Sequence, residues 1–220
     1  MNRKLVAKYI DHTLLKPDVD LSQIKKLCKE ALKYEFYSVC VNPCRVKESA
    51  RYLKDSSILV CSVVGFPLGA NTTAVKLMEI ESCLYNGAIE IDMVMNVGLF
   101  KEGKYKIVKD EIMRAKKIIG NKTLKIIIET KLLTEKEIVI ASKCVEESGA
   151  EFIKTSTGFS NGKITPEIIY LIQKSISSIT KIKASGGIKT FKQVQEILGA
   201  GANRIGTSSG VIIMEEISMT

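Results

Sequence analysis

Residues 151–207, EFIKTSTGFSNGKITPEIIYLIQKSISSITKIKASGGIKTFKQVQEILGAGANRIGT, decide the fold. Three short apolar runs in it, 151–157, 180–185 and 203–207, read as strands that stop at small or glycine-rich residues. Between the first two, Thr165, Pro166 and Glu167 supply an N-cap, a proline at the first helical position and an acid in the first turn. Between the last two, Thr190 and Gln193 have capping-box spacing, and Gly199 stands where that helix should end. Strand, helix, strand, helix, strand in connections of this length argues for parallel strands joined by right-handed crossovers.

The same alternation continues outward to the N-terminus. Further strand candidates are 10–14, 36–41, 58–65, 88–97 and 124–130, which brings the total to eight. Asp20 with Gln23 and Thr134 with Glu137 repeat the capping-box signal. The helix after Asp20 is expected to bury Ile24, Leu27, Cys28, Ala31 and Leu32, and Gly87 and Gly149 mark further helix ends. The expected architecture is α/β, a closed (β/α)8 TIM barrel in one domain spanning residues 1–220. An open doubly wound sheet fits the same local pattern and stays as the alternative.

Period-two alternation sorts the strand residues between helix layer and interior. In the fourth strand Ile89, Ile91 and Met93 should face the helices, and Glu90 and Asp92 the interior. In the sixth, Phe152, Lys154 and Ser156 share one face; in the seventh, Lys181, Lys183 and Ser185 do. Asp92, Lys154 and Lys183 are thereby expected inside, near the strand ends where barrel enzymes place their chemistry. A buried ammonium group is too costly to be casual. Two such amines in one pocket favour the uncharged form of one of them, through burial and like charge, and a neutral amine attacks carbonyl carbon. A lysine that runs its stem along the sheet and frees its head to water is the plainer reading of either position alone.

Composition bounds the rest. The 220 residues are 45% hydrophobic with four prolines and no low-complexity tract, which fits a compact globular chain. No apolar stretch of signal-peptide length precedes Asp11, and the uncharged run 56–75 is interrupted by Gly65, Pro67, Gly69 and Asn71, so a soluble cytoplasmic protein with no membrane partner is expected. Cys28, Cys40, Cys44, Cys61, Cys83 and Cys144 lie mostly in apolar periodic segments without paired C-x-x-C spacing; they read as reduced core residues, with no metal site. A net charge of +9 suits an anionic partner. Its lysines (Lys25, Lys26, Lys33, Lys104, Lys106, Lys109, Lys116, Lys117) are scattered along helical segments without interleaved aromatics, which disfavours nucleic acid.

Two small-residue turns close the last two strands, Ala184-Ser185-Gly186-Gly187-Ile188 and Gly206-Thr207-Ser208-Ser209-Gly210. Such turns expose N–H groups to an anion, and the loops after strands seven and eight are the recurrent phosphate site of a (β/α)8 barrel. Neither has the spacing of a nucleoside-triphosphate loop.

Across nearly its whole length the chain resembles the deoxyribose-phosphate aldolase family, through IDHTLLKP (10–17), VVGFPLGA (63–70), EIDMVMNVG (90–98), KTSTGF (154–159), KASGGI (183–188) and GTSSG (206–210). The resemblance implies a class I aldolase, without metal or organic cofactor, that cleaves 2-deoxy-D-ribose 5-phosphate reversibly to D-glyceraldehyde 3-phosphate and acetaldehyde in deoxyribose phosphate catabolism. Carried over, Lys154 is the Schiff-base lysine, Lys183 the neighbouring cation and Asp92 the group that moves protons through water. Asp11 and Thr13 match a supporting motif. Thr157, Gly158, Gly186, Gly187, Lys189, Ser208 and Ser209 match the phosphate-binding positions.

Glu129 could orient Lys154 or Lys183, or simply be a satisfied interior group. His12, the one histidine, alternates away from Asp11 and Thr13 and reads as structural. Two departures stand out: Phe159 where some family members have lysine, and no tyrosine in the tail EEISMT. Both point to a phosphate preference that is weaker or met differently. A homo-oligomer, specifically a homodimer, is expected from apolar positions on barrel helices. Another Schiff-base aldolase or transaldolase, or a noncatalytic phosphate-binding barrel, remains compatible with the lysine, acid and turns taken alone.

Overall fold

A computed structural model describes residues 2–217. Eight strands, β1 (Ile10–Leu14), β2 (Ser38–Val41), β3 (Leu59–Val64), β4 (Glu90–Val94), β5 (Thr123–Ile127), β6 (Phe152–Lys154), β7 (Lys181–Ser185) and β8 (Arg204–Thr207), pair in parallel in sequence order, and β8 closes on β1. The helices are α1 (Arg3–Ala7), α2 (Leu21–Tyr34), α3 (Val46–Leu53), α4 (Thr73–Tyr85), α5 (Val97–Lys101), α6 (Tyr105–Ile119), α7 (Glu135–Glu147), α8 (Pro166–Ser175), α9 (Phe191–Gly199) and α10 (Gly210–Glu216). Each strand is followed by a helix on the outside, which is the expected (β/α)8 barrel and excludes the open sheet. Among the described residues no helix is long and apolar enough to cross a membrane.

The capping boxes at Asp20, Thr134 and Thr190 form in full, so α2, α7 and α9 begin where the sequence places them. Thr165 occupies the N-cap of α8 ahead of Pro166, but its side chain makes no cap bond. The buried stripe of α2 is Ile24, Leu27, Cys28, Ala31 and Tyr34. Leu32 was expected on it and instead falls one position off the stripe, exposed on the outer face. Gly199 lies within α9; the left-handed residue that turns the chain toward β8 is Gly201, with φ +112°.

Several strands are shorter than their apolar runs. β4 stops at Val94, because Asn96 caps α5 by accepting from the Leu99 N–H. Ile89 precedes β4 and is half-exposed, whereas Ile91 and Met93 are buried among the helices as alternation requires. Helices α1 and α5, five residues each, carry too little local signal to be read beforehand. Five cysteines are buried and free; Cys44, expected in the core, is exposed on the turn after β2. The tail segment 218–220 lies outside the described residues.

Candidate active site

Alternation turns one set of charged side chains into the barrel, and strand register decides which of them meet. Lys154 and Lys183 are directly paired across β6 and β7, and Asp92 pairs Lys125 across β4 and β5. Both Lys154 Nζ (2.9 Å) and Lys183 Nζ (2.7 Å) donate to Asp92 Oδ2, while Lys125 Nζ donates to Asp92 Oδ1 at 3.0 Å and to Glu90 Oε2 at 2.6 Å. Lys183 Nζ also lies 2.5 Å from Asp11 Oδ2, and Arg204 bridges Asp11 (2.8 Å) and Glu90 (3.3 Å). The expected trio of Asp92, Lys154 and Lys183 is thus one contact cluster. It sits on a lower tier of Lys125, Glu90, Arg204 and Phe152, whose ring is flanked by Lys125, Lys181 and Arg204. All eight strands contribute to this packing, β2 through Ser38, which donates to Asp11, and β3 through Cys61, which donates to Asp92 Oδ1 at 3.2 Å.

Burial alone would raise the Asp92 carboxyl, but Lys125, Lys154 and Lys183 outweigh it and hold that group well below the usual carboxylate range. Asp11 is likewise lowered, burial being outweighed by Lys183, Arg204 and Lys125. Burial works against charge on Lys183 and Lys125 too, yet their carboxylate neighbours push both upward, as Asp11 and Glu90 do for Arg204. The donor atoms of Cys40, Cys61 and Asp92 lie within 4.8 Å of one another and could touch a metal ion, but Asp92 already serves three lysines whose charge opposes a cation there.

Above the cluster opens a cavity of about 450 Å³. Of the buried bases, Lys154 lines it; Lys125, Lys183 and Arg204 do not. Its wall includes all seven expected phosphate positions, Thr157, Gly158, Gly186, Gly187, Lys189, Ser208 and Ser209. Two of its turns are built alike. Thr157 Oγ1 accepts from Phe159 N (3.1 Å), and Thr207 Oγ1 accepts from Ser209 N (2.9 Å). The intervening Gly158 and Ser208 have no partner for their N–H groups among the described residues, nor does Gly187, and these are the donors an anion would find. A side chain is disfavoured at Gly187, where φ is +74° and a Cβ would lie 2.7 Å from Lys163 Cγ.

The remaining expectations divide. Asp11 contacts the cluster through Lys183. Thr13 lines the cavity and donates to the Asp11 carbonyl without touching either lysine. His12 points into the helix layer, bonded to Glu30 at 2.8 Å and packed on Phe36. Glu129 meets neither lysine; its Oε2 accepts from the Thr157 N–H and hydroxyl. Lys125 and Arg204 escaped the sequence reading, although each is a lone base beside strand aliphatics, the very signal used for Lys154 and Lys183. Lys16 also lines the cavity mouth, inside the IDHTLLKP block that drew attention for other residues.

A parallel barrel with a lysine and carboxylate cluster beneath a rim of unpaired backbone N–H groups suits an enzyme of the aldolase class. The chain belongs to the DeoC/LacD family of aldolases, which it matches over residues 5–216. It is 50% identical over 209 residues to a deoxyribose-phosphate aldolase of Staphylococcus carnosus, covering 95% of each chain, and 51% identical over 207 residues to that of Brevibacillus brevis, covering 94% of each. Among solved structures it resembles a deoxyribose phosphate aldolase from Aeropyrum pernix described as tetrameric, with TM-score 0.90 and 31% identity over 99% of this chain and 92% of that one.

Proposed function

We propose that this chain is a class I aldolase that reversibly cleaves 2-deoxy-D-ribose 5-phosphate to D-glyceraldehyde 3-phosphate and acetaldehyde, through a Schiff base on Lys154. The observation that carries the reading is that Lys154, alone among the four interior bases, lines the cavity together with the Thr157–Gly158, Gly186–Gly187 and Ser208–Ser209 turns. Charge supports it. Lys125, Lys183 and Arg204 are pushed toward their charged forms and face three carboxyl groups, Asp11, Glu90 and Asp92. Lys183 therefore stands as a cation beside the amine that the reaction uses uncharged, as its nucleophile.

The open-chain sugar lays its phosphate against the Gly158, Gly187 and Ser208 turns, with Lys16 and Lys189 at the mouth, and its C1 aldehyde at Lys154. Nζ adds to C1; water leaves after proton transfers that involve Asp92, 2.9 Å from Nζ. The protonated imine withdraws electrons as the C3 hydroxyl loses its proton and the C2–C3 bond breaks. That releases D-glyceraldehyde 3-phosphate and leaves a two-carbon enamine. Protonation at C2 and addition of water at C1 free acetaldehyde and regenerate the amine. Lys183, fixed between Asp11 and Asp92, keeps a positive charge beside the imine throughout.

Borohydride reduction in the presence of deoxyribose 5-phosphate should add mass to the peptide containing Lys154, and Lys154→Ala should show no turnover above background. An active wild type that gains no mass at Lys154 would refute the Schiff-base assignment.

The same reading places the enzyme in the cytoplasm, in deoxyribose phosphate catabolism, as a homodimer. Val75, Met78 and Tyr85, exposed along one side of α4, favour self-association, and light scattering after size exclusion tests it.

A further inference from the structure

We propose that Glu129 is a positioning residue for substrate phosphate: it fixes the turn after β6 so that the Gly158 N–H faces the cavity. This rests on the aldolase reading above and assigns a job to a side chain that the chemistry at Lys154 leaves unused.

Four observations carry it. First, Glu129 has φ +52° and ψ +66°, a left-handed conformation unfavourable for a residue with a side chain. The other such residue among those described, Glu35, is a helix C-cap, where that conformation is ordinary. Glu129 instead lies two residues beyond β5, where a 3-10 turn over 130–132 begins, and its side chain reaches the segment that follows β6. Second, the side chain is buried, and Oε2 takes both hydrogens of Thr157: N–H at 3.1 Å and Oγ–H at 2.5 Å. Third, β6 ends at Lys154, so Thr157 lies beyond the ladder, and Glu129 supplies the acceptor that a neighbouring strand would otherwise give. Fourth, Oε1 is buried with no hydrogen-bond partner among the described residues, so the hydrogen bonds of this carboxylate go to Thr157 alone.

The twin turn isolates what Glu129 adds. Thr207 lies within β8, and its hydroxyl is held by the Ile188 carbonyl at 2.7 Å. A neutral carbonyl therefore suffices to orient the threonine hydroxyl; Glu129 is distinctive in also taking Thr157 N–H. With Thr157 N, Thr157 Oγ and Phe159 N all engaged, Gly158 N–H, at φ +86°, is the donor left at the wall. A negative charge behind an anion site opposes binding, so the contribution is geometric, and an amide oxygen should supply it equally.

The test compares wild type, Glu129→Ala, Glu129→Gln and Thr157→Val on deoxyribose 5-phosphate and on unphosphorylated deoxyribose. Glu129→Ala should raise KM for the phosphorylated sugar by about tenfold with kcat within about threefold, and leave kcat/KM for the unphosphorylated sugar within about twofold, while Thr157→Val, which removes the hydroxyl that Glu129 holds, should raise the same KM at least as much. Glu129→Gln should restore most of the lost affinity. Equal losses on both sugars, or no loss on either, in soluble variants beside an active wild type would overturn the role of Glu129 and leave the aldolase reading intact. If Glu129→Ala is insoluble, Glu129→Asp, whose shorter side chain cannot reach Thr157, decides by the same split. A wild type inactive on the phosphorylated sugar would overturn the aldolase reading and this inference with it.

Discussion

Lys183 and Lys154 share one carboxylate oxygen but differ in what else they touch. Lys183 is clamped between Asp11 and Asp92 and does not line the cavity, and the role proposed for it is to supply positive charge. Lys183→Met should therefore lower kcat at least about a hundredfold while circular dichroism shows the barrel intact; turnover near wild type would remove Lys183 from the mechanism. Alternation was enough to place Lys154, Lys183 and Asp92 on one inner surface. It did not reveal Lys125, because a lysine in TLKIII is locally indistinguishable from one at a strand edge until register sets it opposite Asp92. Glu129 was noticed with two readings left open, a partner of the lysines or an interior polar group; the structure turns it to Thr157, a direction that comes from a left-handed backbone no sequence period encodes.

At the scale of elements, the loop between β3 and α4 shows how the end of β4, and Asp92 with it, is held. Gly69 takes φ +67°, and a Cβ there would come within 2.2 Å of the Met95 carbonyl oxygen, so only glycine lets the loop lie against that strand end. From α4, fully buried Lys76 donates to the Val94 carbonyl and to Glu111 of α6, both at 2.9 Å. Removing one partner of such a pair strands the other charge, so Lys76→Met should cost about 3–5 kcal/mol, read as a lower urea midpoint. The double change Lys76→Met, Glu111→Leu should recover much of it; a single variant as stable as wild type would mean the pair holds nothing. The helix carrying Lys76 was legible, but its buried lysine was not: on a helix surface a lysine reads as solvated, and only the neighbouring α6 says otherwise. Likewise α5 exists because Asn96 caps it, within a run that looked like continuing strand.

Across the whole molecule, the interior charges govern how stability responds to pH. Asp11 and Asp92 stay ionised in the native state below the pH at which unfolded aspartates take up protons. Their contribution is therefore present above about pH 4 and is lost as the pH falls further. Lys125 and Lys183 are raised, so theirs is complete below about pH 10 and declines only as the pH rises through their elevated native values. Urea midpoints should hold level from about pH 6 to 9 and drop below about pH 4, with Asp92→Asn showing a shallower acid decline. An acid limb as steep in the variant would place the effect elsewhere.

The packing beneath Lys154 carries one more implication. With side chains from every strand filling the lower barrel, the reaction chamber is a blind well, and its mouth must serve for both arrival and departure. Under the proposed chemistry at Lys154, the fragment bearing phosphate lies nearest that mouth, while the two-carbon fragment stays tethered at the bottom. The larger product must leave before the smaller one can, and in the synthetic direction acetaldehyde must descend first, giving the enzyme a compulsory sequence imposed by architecture as well as by bonding.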